Sequence, residues 1–79
     1  MEDRRIHTIE RSETDEIWIT LREYKGKKYV DIRLFFQPKD GTEMRPTKKG
    51  ITISLDKLSD LAQGLKKVAD SVPEEEFVA

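Results

Sequence analysis

The 79-residue sequence contains no cysteine and only one histidine, His7. The lack of cysteine excludes disulfides and thiolate metal sites within this chain, and a lone histidine does not make a zinc site. A chain this short buries only about 60% of its unfolded surface, and small domains without disulfides or metals commonly rely on a second copy. We therefore expect a single domain that forms a homodimer, with no metal and no cofactor.

Long apolar runs and paired catalytic groups are also missing. No stretch approaches the roughly 18 consecutive apolar residues of a membrane span, and the first five residues are polar apart from Met1. We expect a soluble cytoplasmic protein, nucleoid-associated if the source is bacterial, with no membrane partner. The sequence offers no nucleophile–base pair and no phosphate-binding loop, so an enzyme is the least favoured class.

The formal net charge of −1 hides an uneven distribution along the chain. Residues 22–50 carry nine lysines and arginines against four acidic residues, whereas residues 1–21 and 51–79 each carry three basic and six acidic residues. A basic middle between acidic flanks favours a nucleic-acid partner, and a charge-rich solvated surface is an equally compatible interpretation of this feature alone.

Period-two alternation dominates the first two thirds of the chain. Residues 17–24 and 28–36 alternate apolar and polar side chains, which is typical of half-buried strands, and Lys25-Gly26-Lys27 between them suits a tight hairpin turn. Residues 4–11 predict a short strand or an extended arm. Turns at 38–41 and 48–50 then predict two shorter strands, at 42–46 and 51–53.

The period changes to that of a helix after residue 54. One continuous apolar stripe comprises Leu58, Leu61, Ala62, Leu65, Val68, Ala69 and Val72. Pro73 limits this helix. The order of several strands and then one helix predicts an α+β fold without parallel crossovers. We expect residues 1–14 to form an N-terminal arm or edge strand, residues 15–72 the binding domain and residues 73–79 an acidic tail.

Three segments resemble one known family when they are taken together and in order. They are ITLREYKGKKYVDIR at 19–33, the Phe35-Phe36 pair, and RPTKKGITIS at 45–54. Over about residues 16–70 the chain resembles the positive-cofactor-four (transcriptional coactivator) single-stranded DNA-binding domain in a short, bacterial-type form. Each segment alone would be a weak signal, whereas their order and spacing are specific.

The resemblance implies a curved four-stranded antiparallel sheet, with room for an N-terminal edge strand, followed by one C-terminal helix. It also implies a homodimer paired through its helices, with two adjacent channels for single-stranded DNA or melted duplex and little sequence preference. It implies a role in transcription, replication or repair, with bases stacked on Tyr24 and Phe36. Together with the basic rim of the sheet, it predicts nucleic-acid contacts at Arg22, Tyr24, Lys25, Lys27, Arg33, Phe36, Arg45, Lys48 and Lys49. The apolar stripe predicts dimer contacts at Leu58, Leu61, Leu65 and Val68.

The chain departs from the family pattern in places, and other functions remain open. Asp15 and Ile17 stand where the family can carry basic residues, and Thr47 stands where glycine is common. Trp18 alternates to the outer face, where we favour packing, against the N-terminal arm or in the dimer, over ligand contact. Asp31 is expected to pair with Arg33. The alternatives are a protein-interaction dimer that uses the same sheet and a single-stranded RNA binder.

Overall fold

The computed structural model describes residues 3–77, which form a four-stranded antiparallel sheet followed by one helix. The strands are β1 (Arg4–Glu10), β2 (Asp15–Tyr24), β3 (Lys27–Phe36) and β4 (Arg45–Ser54). They lie in the order β1-β2-β3-β4, so each strand pairs with its neighbour in sequence. The helix α1 spans Leu58–Ser71 and is flanked by 3-10 turns at Leu55–Lys57 and Glu74–Phe77. The predicted α+β class is confirmed. Among residues 3–77, no helix is long and apolar enough to cross a membrane.

The hairpin between β2 and β3 is the most regular part of the sheet. Its register runs without interruption from Asp15 opposite Phe36 to Tyr24 opposite Lys27. The two loop residues, Lys25 and Gly26, both have positive φ, at 51° and 79°, as a type I′ turn requires. The tight turn predicted at this position is therefore confirmed.

The segment after residue 41 differs from its prediction. Residues 45–54 form one strand, so the predicted turn at 48–50 and the two separate strands are wrong. A bulge explains the difference: Gly50 pairs with Arg33 and Pro46 with Phe35, so three β4 residues stand against one residue of β3. Within the bulge, the Thr47 hydroxyl donates a hydrogen bond of 2.9 Å to the carbonyl oxygen of Leu34, and this keeps the two strands together.

The lack of a side chain at Gly50 allows β3 and β4 to approach each other closely in this bulge. A Cβ at this position would lie 2.8 Å from the carbonyl oxygen of Ile32 and 2.9 Å from Cζ of Arg33. The Lys-Lys-Gly signal typical of a turn thus marks a close approach between strands.

The two faces of the sheet differ in chemistry. We call one the apolar face; from β2, β3 and β4 it carries Ile17, Ile19, Leu21, Val30, Ile32, Leu34, Ile51 and Ile53. We call the other the polar face; from the same strands it carries Trp18, Thr20, Arg22, Tyr24, Tyr29, Asp31, Arg33, Phe35 and Thr52. Adjacent strands share this division because directly opposed residues lie on the same side of a sheet.

The helix α1 is poorly covered by its own chain. None of its residues is buried, and Leu65 and Val68 are 59% and 60% exposed. Among the described residues only Val30 and Asp31 are classed as buried. The radius of gyration is 14.8 Å, whereas a compact domain of this length would have about 12 Å. The described residues therefore form a less compact structure than is usual for this length, and they leave the apolar stripe of α1 largely exposed.

Candidate nucleic-acid interface

An open groove of about 550 Å³ runs across the polar face. It is lined by Asp3, Arg5, Trp18, Thr20, Arg22, Asp31, Arg33, Phe35, Pro46 and Thr47. A second groove of about 410 Å³ adjoins it toward the β2–β3 hairpin, where Tyr24 and Tyr29 contribute. Arg22 and Asp3 line both grooves, so the two form one path along the face.

The Arg22–Asp3 ion pair lies where the two grooves meet. Nε of Arg22 donates to Oδ2 of Asp3 over 3.1 Å, and both side chains are about half exposed. An ion pair this accessible contributes little to stability, typically less than about 1 kcal/mol. Arg22 is therefore held along the path by a weak ion pair with Asp3, and a phosphate group can displace Asp3 from it.

A buried carboxylate holds Arg33 in the groove. Oδ2 of Asp31 accepts from Nε of Arg33 at 3.1 Å, and Oδ1 accepts from Nη2 at 2.9 Å. Nη1 of Arg33 donates to the carbonyl oxygen of Thr47 at 3.0 Å, and the hydroxyl of Thr52 donates to Oδ1 of Asp31 at 3.0 Å. Three of the five guanidinium N–H groups are thus used, and two remain for a ligand. The expected Asp31–Arg33 pair is confirmed.

The electrostatics of this pair favour its charged form. Burial raises the pKa of Asp31, but hydrogen bonds from Arg33 and Thr52 and the charges of Arg33 and Arg22 outweigh burial, so the pKa lies below its ordinary value. The hydrogen bond to Asp31 raises the pKa of Arg33. Both groups are therefore ionised at neutral pH.

Aromatic and cationic side chains stack on one another in the groove. The rings of Trp18 and Phe35 are parallel within 14°, with centroids 3.9 Å apart. Cζ of Arg5 lies over the Trp18 ring, 4.0 Å from its centroid, and the indole nitrogen donates to Oε1 of Glu16 at 2.8 Å. Trp18 therefore packs against the N-terminal strand, which is one of the two packing arrangements expected for it.

The structure brings together five of the nine predicted nucleic-acid contacts, at the hairpin end and along the polar face. These are Arg22, Tyr24, Lys25, Lys27 and Arg33. Tyr24 is 58% exposed, and Nζ of Lys25 lies 5.3 Å from the centroid of its ring. The hairpin end therefore presents an accessible aromatic residue beside a cation.

The other four predicted contacts lie elsewhere on the sheet. Lys48 and Lys49 are exposed in the bulge of β4, at the edge of the sheet. Phe36 pairs with Asp15 and Arg45, and the strand alternation places Phe36 and Arg45 toward the apolar face at the far corner. Stacking on Phe36 stays a prediction, and it requires a strand that passes around this corner.

Sequence reasoning missed Arg5 and Phe35 as parts of the groove. Strand alternation already places Phe35 on the same face as Arg33, two residues away, whereas the family resemblance directed attention to the adjacent Phe36. The position of Arg5 depends on the pairing of β1 with β2, which the sequence pattern of residues 4–11 does not specify.

Comparison with known proteins identifies this architecture. The family model of transcriptional coactivator p15 (PC4) matches residues 12–64. The chain belongs to the PC4 family. Membership supports a DNA-binding role, and the match covers β2, β3, β4 and the first half of α1, while β1 lies outside it.

Solved PC4 homologues share the fold. A PC4 homologue from Burkholderia pseudomallei is 34% identical, with a TM-score of 0.80, covering 90% of this chain and 95% of that chain. A bacteriophage T5 homologue of the eukaryotic coactivator PC4 is 24% identical, with a TM-score of 0.71, covering 89% and 80% of the two chains. At this identity the phage protein is evidence for the fold alone.

A curated eukaryotic relative matches a shorter segment. A candidate RNA polymerase II transcriptional coactivator from Caenorhabditis elegans is 40% identical over 37 residues, which is 47% of this chain. The match spans 30% of the worm protein, so most of that protein lies outside the matched segment.

Proposed function

We propose that this PC4-family protein binds single-stranded DNA without sequence preference, as a homodimer, on the polar face of its sheet. The observation that carries the proposal is the open path along that face: the exposed Tyr24 and Arg22 line one groove, and Arg22 and the paired Arg33 line the next. An accessible sheet with rings between cations is the usual platform for single strands.

The two kinds of contact contribute differently to binding. Each phosphate contact on a single strand releases counterions and gives a salt slope of roughly −0.7. Stacking on an aromatic ring contributes about 1–3 kcal/mol per base and tolerates any base. A duplex hides its base faces inside the stack, so an exposed ring such as Tyr24 favours unpaired strands without reading base edges.

Dimerisation is the second part of the proposal. The chain exposes 6811 Å², whereas a compact protein of 9.2 kDa exposes about 4,900 Å². The excess is larger than the roughly 800 Å² that each partner buries in a standard interface. Exposed apolar residues mark where this surface lies: Ile51, Leu58, Leu65 and Val68. We propose that a second copy covers α1 and the adjoining apolar face.

Fluorescence anisotropy with a labelled single strand of about 20 nucleotides, its duplex and a matched RNA tests the function. We expect single-strand binding that weakens with salt, and weaker duplex binding. Tyr24→Leu should weaken binding about fivefold or more because the ring face is lost, whereas the matched control Tyr24→Phe should bind as the wild type does. The double variant Lys25→Ala/Lys27→Ala should also reduce the salt slope.

The proposal would be refuted by an absence of single-strand binding at low salt or by equal affinity for the duplex. Tighter binding of the RNA than of the matched DNA would reassign the ligand to RNA. For the assembly, a stable monomer in light scattering at micromolar concentration would contradict the homodimer.

A further inference from the structure

We propose that Arg5, on β1, is an additional nucleic-acid contact that offers its guanidinium plane to an unpaired base. This inference deepens the proposed function and rests on it. Arg5 lies outside the segment that matches the family model, residues 12–64. It nevertheless lines the larger groove together with Arg33 and Phe35.

The geometry around Trp18 determines which surface is available. Phe35 lies 3.9 Å from the Trp18 ring in a parallel stack, and Cζ of Arg5 lies 4.0 Å from the same ring centroid. One face of an indole does not have room for both groups at these distances, so they occupy opposite faces. Trp18 is therefore the middle layer of a column whose outer layers are Phe35 and Arg5.

A base consequently has no free face of Trp18 on which to stack. Arg5 is an exposed residue at one end of the column, and a planar guanidinium stacks on bases as an aromatic ring does. The indole is held in turn by its 2.8 Å hydrogen bond to Glu16. Trp18 therefore acts as a positioning residue that orients Arg5.

The same arrangement gives Arg5 donors for a phosphate. Its guanidinium has five N–H groups, and a cation–π contact uses the face of the group and leaves its N–H edges free for hydrogen bonds. A strand that enters the groove can therefore stack a base on the outer plane of Arg5 while the flanking phosphate accepts from its edge. β1 extends the binding path by one position beyond the family-matched segment.

Substitution of Arg5 by lysine distinguishes the contribution of the planar guanidinium from that of its positive charge. Lysine keeps the positive charge and has no planar group. Arg4 is the matched control because it neighbours Arg5 on β1 but pairs with Leu21, on the other face. Both arginines are exposed, so none of these substitutions should unfold the protein.

The experiment measures dissociation constants for oligo(dT) and for an abasic sugar-phosphate strand of equal length. For oligo(dT), we expect Arg5→Ala and Arg5→Lys to weaken binding about five- to tenfold, at the lower end of stacking losses, with the salt slope retained in Arg5→Lys. Arg4→Ala and Arg4→Lys should change affinity less than about twofold, as for a charge outside the path. On the abasic strand, Arg5→Lys should bind as the wild type does.

The possible results distinguish a failure of the Arg5 contact from a failure of single-stranded DNA binding as a whole. A wild-type protein that does not bind oligo(dT) would refute both. Wild-type binding with equal losses in the Arg5 and Arg4 variants would refute only the role of Arg5. Full affinity of Arg5→Lys, with loss only in Arg5→Ala, would show a point-charge contact and overturn the stacking role.

Discussion

The ion pair of the buried Asp31 with the partly buried Arg33 allows a prediction that stability and affinity can both test. We expect Asp31→Asn to destabilise the folded protein and to weaken binding of single-stranded DNA. The carboxylate is 5% exposed and accepts two hydrogen bonds from Arg33 and one from Thr52. An amide keeps the size of the side chain but replaces one acceptor oxygen with a donor, which faces the donors of Arg33.

The expected loss of stability follows from the burial of Asp31 and the partial burial of Arg33. Removing one member of a buried ion pair costs about 3–5 kcal/mol, and the Arg33 side chain is 22% exposed, so water repays part of this loss. We expect a destabilisation of about 2–3 kcal/mol, near the value of a hydrogen bond to a charged group. For a domain of this size each kcal/mol corresponds to about 4–8 °C in Tm.

The pH dependence of this difference has a definite sign. The folded-state pKa of Asp31 is lowered relative to an unfolded value of about 3.9. The stabilisation by the pair is therefore fully present above about pH 4 and is lost as pH falls through the folded-state pKa. Chemical denaturation of both proteins at equal concentration should show a gap at pH 7 that closes below about pH 4.

The affinity for single-stranded DNA provides a second test, because two physical effects of Asp31→Asn on binding have opposite signs. Asp31→Asn removes a negative charge from the groove, and simple electrostatics would predict tighter binding. We expect weaker binding because Arg33 loses the carboxylate that orients it. Asp3→Asn is the matched control, since it removes the same charge but frees Arg22 from its ion pair, and it should bind more tightly. Equal tightening in both variants, or a stability gap that does not depend on pH, would refute this reasoning.

Three further substitutions test the turn, the bulge and the helix. Lys25→Asn should stabilise the protein by up to about 1 kcal/mol because asparagine tolerates the positive φ of 51° better, while it weakens DNA binding; a lower Tm would contradict this expectation. Gly50→Ala should destabilise the folded protein by about 1–3 kcal/mol and weaken DNA binding, because the new Cβ would contact the carbonyl oxygen of Ile32 and displace Arg33. An unchanged Tm would argue against a close approach between the strands. Leu65→Glu should dissociate the proposed dimer, as measured by light scattering. The control Gln63→Glu makes the same charge change outside the apolar stripe and should leave the dimer intact. Dissociation in both variants would show that the added charge, and not the loss of an apolar contact, is responsible.

Local pattern was sufficient for the hairpin and for the extent of the helix. Alternation of Ile17, Ile19 and Leu21 identified the apolar side of β2, and the glycine after Lys25 marked the turn. The helical stripe predicted an element that the structure places at Leu58–Ser71. These features depend on neighbours a few residues apart, which is why the sequence reveals them.

Features that depend on strand pairing could not be read in the same way. The lysines and glycine at 48–50 are typical of a turn, but Thr47 and Gly50 belong to a bulge that exists only opposite Leu34. Likewise, Arg5 reaches Trp18 only because β1 pairs with β2. The lining of the groove therefore depends on the register in which the strands pair, and that register is set by contacts between residues distant in sequence.

The two bulges also affect how the sheet meets other molecules at its borders. β1 and β4 form the outer edges of the sheet, and such edges invite pairing with another chain unless they are disrupted. β1 has a register shift between Arg5 and His7. β4 has the bulge, together with Pro46, which lacks an N–H, and the charge of Lys48. Both borders thus resist edge-to-edge aggregation, and this directs the proposed self-association to the apolar helix.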